Sequence, residues 1–191
     1  MRDREKRYVR DSYDSLGGKL YNIRYQHEQE SKNDLILKHI SLLPEDILLD
    51  DGCGTGLLLR WVRSHSVGVD VSSKLLSAAH AQLRNRHQAH LAQGDADSLP
   101  FRSAIFDKVF AVTLIQNTPD PTRTLREMRR VSKSGSIVTV TALKKSCTPQ
   151  ALEQFISGSE LTLMSVVRDE GIKDWIALAR AKVWRSLSMI F

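Results

Sequence analysis

The chain reads as an α/β domain whose sheet is mostly parallel and closes with an antiparallel hairpin at one edge. Three observations predict this. Apolar, β-branched runs alternate with helical patterns from residue 47 to residue 143, the first run stops at a glycine-rich turn, and the last quarter replaces the alternation with two strand-like runs joined by a turn. Strands separated by helices pair in parallel, because each helical crossover returns the chain to the same end of the sheet.

The elements follow in order. Residues 1–27 are polar, hold all four tyrosines (Tyr8, Tyr13, Tyr21, Tyr25) and lack apolar periodicity, which predicts a flexible lid. Glu28 to Leu43 carries Leu35, Ile36, Ile40 and Leu43 at helical spacing, and Pro44 ends it. Ile47 to Leu49 is a short strand running into Asp50-Asp51-Gly52, after which Leu57 to Val62 reads as a short helix. Ser66 to Val71 is β-branched, Ser73 to Arg84 places Leu75, Leu76, Ala79 and Leu83 on one helical face, and Ala89 to Gln93 is extended. Ile105 to Leu114 has the character of a buried strand. Pro119 and Pro121 then announce a charged helix over Thr122 to Ser132, and Ser136 to Leu143 is another strand. Thr148 to Ser157 is a short helix with Pro149 in its first turn. Leu161 to Arg168 and Trp175 to Arg180, joined by DEGIKD, form the edge hairpin.

A length of 191 residues suits about one domain. With 41% hydrophobic and 26% charged residues, the composition excludes disordered, collagen-like and disulfide-scaffold classes. The excess of 28 Lys+Arg over 22 Asp+Glu gives +6 and favours an anionic partner. Cys53 and Cys147 lie far apart without Cys or His at zinc-site spacing, so neither a disulfide framework nor a metal site is expected. The first residues, MRDREKRYVRD, form neither leader nor anchor, and no run approaches the roughly 18 apolar residues of a membrane span. A cytoplasmic protein without membrane contact is the expectation. With no repeat or linker, the chain divides into an N-terminal lid on the acceptor side, residues 1–27, and one domain, residues 28–191.

The glycine turn defines the ligand class. A strand ending in acid and turning through Gly52, Gly54 and Gly56 lets backbone approach a ligand without an intervening Cβ. Dinucleotide sites use G-x-G-x-x-G to seat a pyrophosphate on a helix N-terminus. Here the spacing is G-x-G-x-G, and Asp50 and Asp51 would repel a pyrophosphate, so a ligand with a cationic end fits better.

LLDDGCGTG resembles motif I of the class I S-adenosylmethionine-dependent methyltransferases, and the chain is similar to their small members from about residue 35 to 145. The resemblance implies a Rossmann-like class I methyltransferase fold with a seven-stranded sheet, and S-adenosyl-L-methionine as cofactor. It puts Asp50 near the ligand amino group and Gly52, Cys53, Gly54 and Gly56 in the loop around the amino-acid moiety. Asp51 departs from the usual apolar residue, which leaves open which carboxylate faces the ligand. Asp70, ending VGVD, takes the position that accepts from the ribose hydroxyls, with Val71 beside it; its distance from Gly52 also suits a dinucleotide site. Asp95, in GDADSLPF, takes the position that accepts from the adenine amino group, with the Ala96 N–H on a ring nitrogen and Leu114 completing the lining. Cys53 reads as a small buried filler, Cys147 as a structural thiol, and His80, His87 and His90 as solvated.

The acceptor side is less marked. Methyl transfer from a sulfonium depends mainly on alignment and desolvation, so few residues are obligatory. LIQNTPDP lacks the Asp/Asn-Pro-Pro-aromatic motif of nucleic-acid amino methyltransferases; Gln116 and Asn117 either orient an acceptor or satisfy loop backbone. Tyr13, Tyr21 and Tyr25 resemble the lid of small family members and are candidates to shape the methyl or acceptor pocket, Tyr25 on the catalytic side, by cation–π attraction or simply by packing. Arg123, Arg126, Arg130 and Lys133 share one face of the charged helix, with Arg129 beside them, and Arg2, Arg4, Lys6, Arg7 and Arg10 add a basic N-terminus. These charges lean the expected acceptor to RNA, tRNA or rRNA, ahead of a small molecule. The rivals are a nicotinamide oxidoreductase and a silent methyltransferase-like scaffold subunit. A partner subunit is left open, with the C-terminal VWRSLSMIF as an interface or a packed tail.

Overall fold

The sheet is organised around β1 (Ile47–Asp51), whose burial on both faces requires the near-continuous apolar run that the sequence provides. In the computed structural model, which describes residues 2–182, β1 pairs in parallel with β2 (His65–Asp70) on one side and β4 (Phe106–Ala111) on the other. Outward from β2 lies β3 (Ala89–Gln93), also parallel; outward from β4 lies β5 (Ser132–Leu143), parallel again. Two antiparallel strands, β6 (Leu161–Val167) and β7 (Asp174–Ala181), complete the edge, giving the order β3-β2-β1-β4-β5-β7-β6. The chain builds to one side of β1 and then restarts on the other at β4. That reversal opens a crevice at the C-terminal ends of β1 and β4, where open α/β sheets bind ligands.

Successive residues of β1 feed opposite cores. Leu49 joins the cluster under α3 (Pro121–Val131) and α4 (Pro149–Ser157), which contribute Leu125, Met128, Leu152 and Ile156. Leu48 joins Ile36, Ile40, Leu58, Val62 and Phe110 on the other face. Each fully buried aliphatic side chain contributes about 1.5–3 kcal/mol. Capping fixes the helix starts: Ser72 accepts from the Leu75 N–H to begin α2 (Ser73–Leu83), Asp120 from Arg123, and Thr148 from Ala151.

Three expectations need correction. The polar segment expected as a flexible lid is helical over its described residues: helix α1 runs Arg2–Lys38 with a break at Gly17 (φ 66, ψ 161). It docks through tyrosines, ion pairs and a close approach of Gly18 to α2, where an added Cβ would lie 2.2 Å from that of Ala78. Contacts of that kind leave no apolar stripe to read. The helix expected over 57–62 is a run of turns in which Arg60 N–H reaches Gly56 and Trp61 N–H reaches Leu58. Gly56 at φ 79 holds the segment before it out of helical conformation, leaving too few residues for a nucleus. The strand expected from 105 to 114 ends at Ala111, and Ile115–Asn117 is a 3-10 turn. VWRSLSMIF, at 183–191, lies outside the described residues.

Candidate active site

Two cavities meet at the crevice. The narrower, about 110 Å³, is bounded by the β1 turn, the ends of β2 and β4, the loop after β3 and the first half of α1. The wider, about 610 Å³, lies between α1, the β4 turn and the loops after β5 and before β7. Tyr13, Tyr21, Thr113 and Asn117 belong to both walls.

The backbone of the glycine turn forms the floor of the first cavity. Gly52 and Gly54 have φ of 79 and 54, and a Cβ at Gly52 would meet Leu114 Cδ1 at 2.9 Å while one at Gly54 would meet the Tyr21 hydroxyl at 3.2 Å. Side chains here would close the space. Asp70 anchors the turn: Oδ2 accepts from the Gly54 N–H and Oδ1 from the Ser72 N–H, both at 2.8 Å. Burial pushes its carboxyl up, and the N–H groups of Ser72, Gly54 and Val71 pull it back. Its remaining lone pairs face the cavity, beside Val71.

The loop after β3 brings Asp95, Ala96 and Asp97 to the far end. Asp95 Oδ1 accepts from the Asp97 N–H at 2.9 Å, and Lys6 from α1 pairs with Asp95 at 2.7 Å and Asp97 at 2.6 Å. Asp97 also accepts the Thr124 hydroxyl at 2.6 Å.

The two β1 acids point to opposite faces, as strand alternation requires. Asp51 lines the first cavity, 1% exposed, with both oxygens unpartnered. Burial, and then the charges of Asp50, Asp70, Asp95 and Asp97, hold its carboxyl well above the usual range. Asp50, expected at the ligand, instead borders a small neighbouring recess with Gln29, Asn33 and Cys53; burial and then Asp70 push it up to about 7. Two other expected lining residues also lie off the main cavity. Gly56 packs on α2, where a Cβ would meet Leu83 at 3.0 Å, and Cys53 sits in the cluster of Leu59 and Leu83, its thiol raised by burial.

The tyrosines form a tilted row, with ring centroids 6.2 Å apart for Tyr13–Tyr21 and 5.2 Å for Tyr21–Tyr25. Burial raises the Tyr13 and Tyr21 hydroxyls further above neutrality, so both remain protonated donors. Tyr25 and Gln116 line the second cavity. Gln116 and Asn117 both donate to the Thr113 carbonyl, at 2.7 and 3.1 Å, so they satisfy loop backbone; Asn117 also donates to the Tyr13 hydroxyl at 3.1 Å, and Gln116 Oε1 is buried without a partner.

Sequence reasoning missed Lys6, Asp97, Thr113 and the wall formed by Glu28, Lys144, Lys145 and Lys173. Asp97 was legible in the acidic GDAD, whereas Lys6 was one charge among many. The basic residues expected on one helical face divide: Arg123 and Arg126 of α3 are exposed, Arg130 and Lys133 are partly exposed, Arg129 is buried, and Lys133 belongs to β5. Arg126 donates to Gly158 O, Arg130 to Leu99 O, Phe101 O and Glu127, and Lys133 pairs with Asp107 at 2.8 Å, while Arg129 is 6% exposed. His80, His87 and His90 are exposed, as expected.

A glycine-floored crevice at the strand reversal, ringed by acids at three successive strand ends, is where a Rossmann-like sheet binds its ligand. Comparison with known proteins agrees. The methyltransferase domain family matches residues 49–140. Phosphatidylethanolamine N-methyltransferase of Cereibacter sphaeroides is 31% identical over 152 residues, covering 75% of this chain and 74% of that protein. Demethylmenaquinone methyltransferase of Staphylococcus saprophyticus is 29% identical over 154 residues, covering 76% of this chain and 66% of that protein. The fold is shared with the putative methyltransferase complexed with the Haloferax volcanii Trm112 activator, at TM-score 0.77 and 17% identity over 91% of this chain and 97% of that one. The chain belongs to the class I S-adenosylmethionine-dependent methyltransferase family, and S-adenosylmethionine is the cofactor. It spans 49% to 66% of the length of five curated relatives it matches. No helix among the described residues is long and apolar enough to cross a membrane.

Proposed function

We propose that this chain transfers the methyl group of S-adenosylmethionine to a small molecule seated in the wider cavity. The observation that carries this reading is the pair of cavities separated by one wall of Tyr13, Tyr21, Thr113 and Asn117. S-adenosylmethionine supplies a methyl on a sulfonium, displaced in line with a neutral thioether as leaving group. The chain's contribution is to hold the two partners and exclude water. Asp70 and Val71 receive the ribose end, Asp95 and Ala96 the base, and the Gly52–Gly54 backbone the amino-acid end, with Asp51 as the acid that faces it. Asp95 keeps acceptor capacity beyond the Asp97 N–H and the Lys6 ammonium, so it can receive the base with both in place. Tyr13 and Tyr21 line the methyl path, where aromatic faces favour a cation. Tyr25, Asn117 and the unpartnered Gln116 Oε1 orient the acceptor, the last by accepting an O–H or N–H.

The acceptors named for the two curated relatives, a demethylmenaquinone and a phosphatidylethanolamine, support a small-molecule substrate. Exposed Arg4, Arg7 and Arg123 favour RNA as the second reading, and the fold shared with the Trm112-bound protein adds a partner subunit to it. Calorimetric titration with S-adenosylmethionine and with NAD, for wild type and Asp70→Ala, tests the first step; labelled methyl transfer into a metabolite and lipid extract against total RNA tests the second. Absence of heat with S-adenosylmethionine overturns the reading, label in RNA alone replaces the acceptor, and binding without transfer to any pool favours a silent scaffold.

A further inference from the structure

The wall between the cavities rests on a strained residue with an unusual support. Thr113 follows β4 at φ 60, a left-handed conformation that a β-branched side chain strongly disfavours. It is held from several directions. Its N–H donates to Thr141 Oγ1 of β5 at 2.8 Å, and its hydroxyl donates to Asp174 Oδ2 of β7 at 3.0 Å. The same hydroxyl accepts from the Lys32 ammonium of α1 and, at 3.4 Å, from Gln29.

Lys32 and Asp174 have side chains that are 0% exposed, with Nζ 2.9 Å from Oδ1, and Thr141 Oγ1 also donates to Asp174 at 2.9 Å. A buried ion pair adds little stability over apolar residues of the same volume. Its presence beside a strained turn that carries both candidate acceptor amides, Gln116 and Asn117, therefore points to geometry and not stability as its role.

We propose that Lys32, Thr141 and Asp174 are positioning residues that clamp Thr113 in its left-handed conformation and thereby fix the wall shared by the cofactor and acceptor cavities. The proposal rests on the cavity assignment above, which wild-type binding of S-adenosylhomocysteine tests separately. Thr113→Val keeps the shape but removes the hydroxyl anchors, leaving only the N–H to Thr141, so the turn relaxes; Thr113→Gly also lacks the hydroxyl but reaches positive φ without strain. If clamping is the role, Thr113→Val weakens S-adenosylhomocysteine binding by about tenfold and Thr113→Gly, which gives up the side chain in the wall but holds the turn, weakens it clearly less than Thr113→Val. A side chain that merely fills space gives the reverse order.

The paired variant Lys32→Met/Asp174→Asn removes both charges together. It is expected to lose affinity as Thr113→Val does and to regain it when Thr113→Gly is added. Circular dichroism on every variant establishes folding before binding is measured, and the Val/Gly comparison decides the matter if the paired variant does not fold. Wild-type affinity in Thr113→Val, or binding by Thr113→Gly as weak as or weaker than by Thr113→Val, overturns the proposal.

Discussion

Replacing Asp51 by leucine should stabilise the ligand-free protein and flatten its pH dependence. The carboxyl is 1% exposed and neither oxygen has a hydrogen-bond partner. A buried polar group left unsatisfied costs about 1–3 kcal/mol, and an apolar side chain of similar volume avoids that cost. At neutral pH the variant should gain that amount, with the melting temperature rising by roughly 2–4 °C for each kcal/mol. The pH effect has a definite sign. Burial and the neighbouring acids raise the folded-state pKa, so between the unfolded value, about 4, and the folded value the native protein holds a proton that the unfolded chain releases. This contribution to stability is full below about pH 4 and is lost as pH rises, at up to roughly 1.4 kcal/mol per unit. Asp50, raised to about 7, adds the same trend up to that pH. Thermal unfolding of ligand-free wild type and Asp51→Leu, followed by circular dichroism between about pH 5 and pH 8, measures both slopes. A variant that melts below wild type throughout, or whose slope parallels it, refutes the reasoning.

Further outcomes follow from the same geometry. Asp70→Ala frees the Gly54 and Ser72 N–H groups and should weaken S-adenosylmethionine binding by at least about tenfold in calorimetry, since hydrogen bonds to a charged group are each worth roughly 1.5–3 kcal/mol. Gly18→Val would drive α1 away from Ala78, costing about 1–3 kcal/mol; proteolytic cleavage within residues 2–17 should accelerate in the variant. Leu49→Ala empties the centre of the larger core and should cost about 2–5 kcal/mol in denaturant unfolding. On the acid side, Glu127 is held below its ordinary range chiefly by Arg130. Its share of stability is present above the unfolded pKa and lost as pH falls through the lowered folded value. Arg130→Met should therefore make acid unfolding less steep.

The alternation of apolar runs and helical patterns revealed the parallel core of the sheet, because strands buried on both faces must be almost wholly apolar and helices packed on them must carry a stripe. The glycine turn and its acids were legible for a similar reason, since close backbone approach restricts residue type. Less visible was α1, whose first half docks by Tyr13, Tyr21, Lys6 and Asp14 and presents no period. Arg126, Arg130 and Lys133 read as one basic helical face, but each binds a neighbouring carbonyl or carboxylate and Lys133 belongs to β5; spacing shows neither the partners nor where the helix gives way to strand.

The sequence by itself determined the fold class, the turn that approaches the cofactor and the acids at the strand ends, all of which follow from residue type at short spacing. The tertiary structure decided the rest. Strand alternation turned Asp51, and not Asp50, into the main cavity, and α1 delivered Lys6 to Asp95 and Asp97. Lys32, Thr113 and Asp174, drawn from α1, the β4 turn and β7, meet only because the sheet places the ends of β4, β5 and β7 side by side under the helix. Contacts between residues so distant along the chain leave no periodic trace, since they arise from packing and not from local conformation.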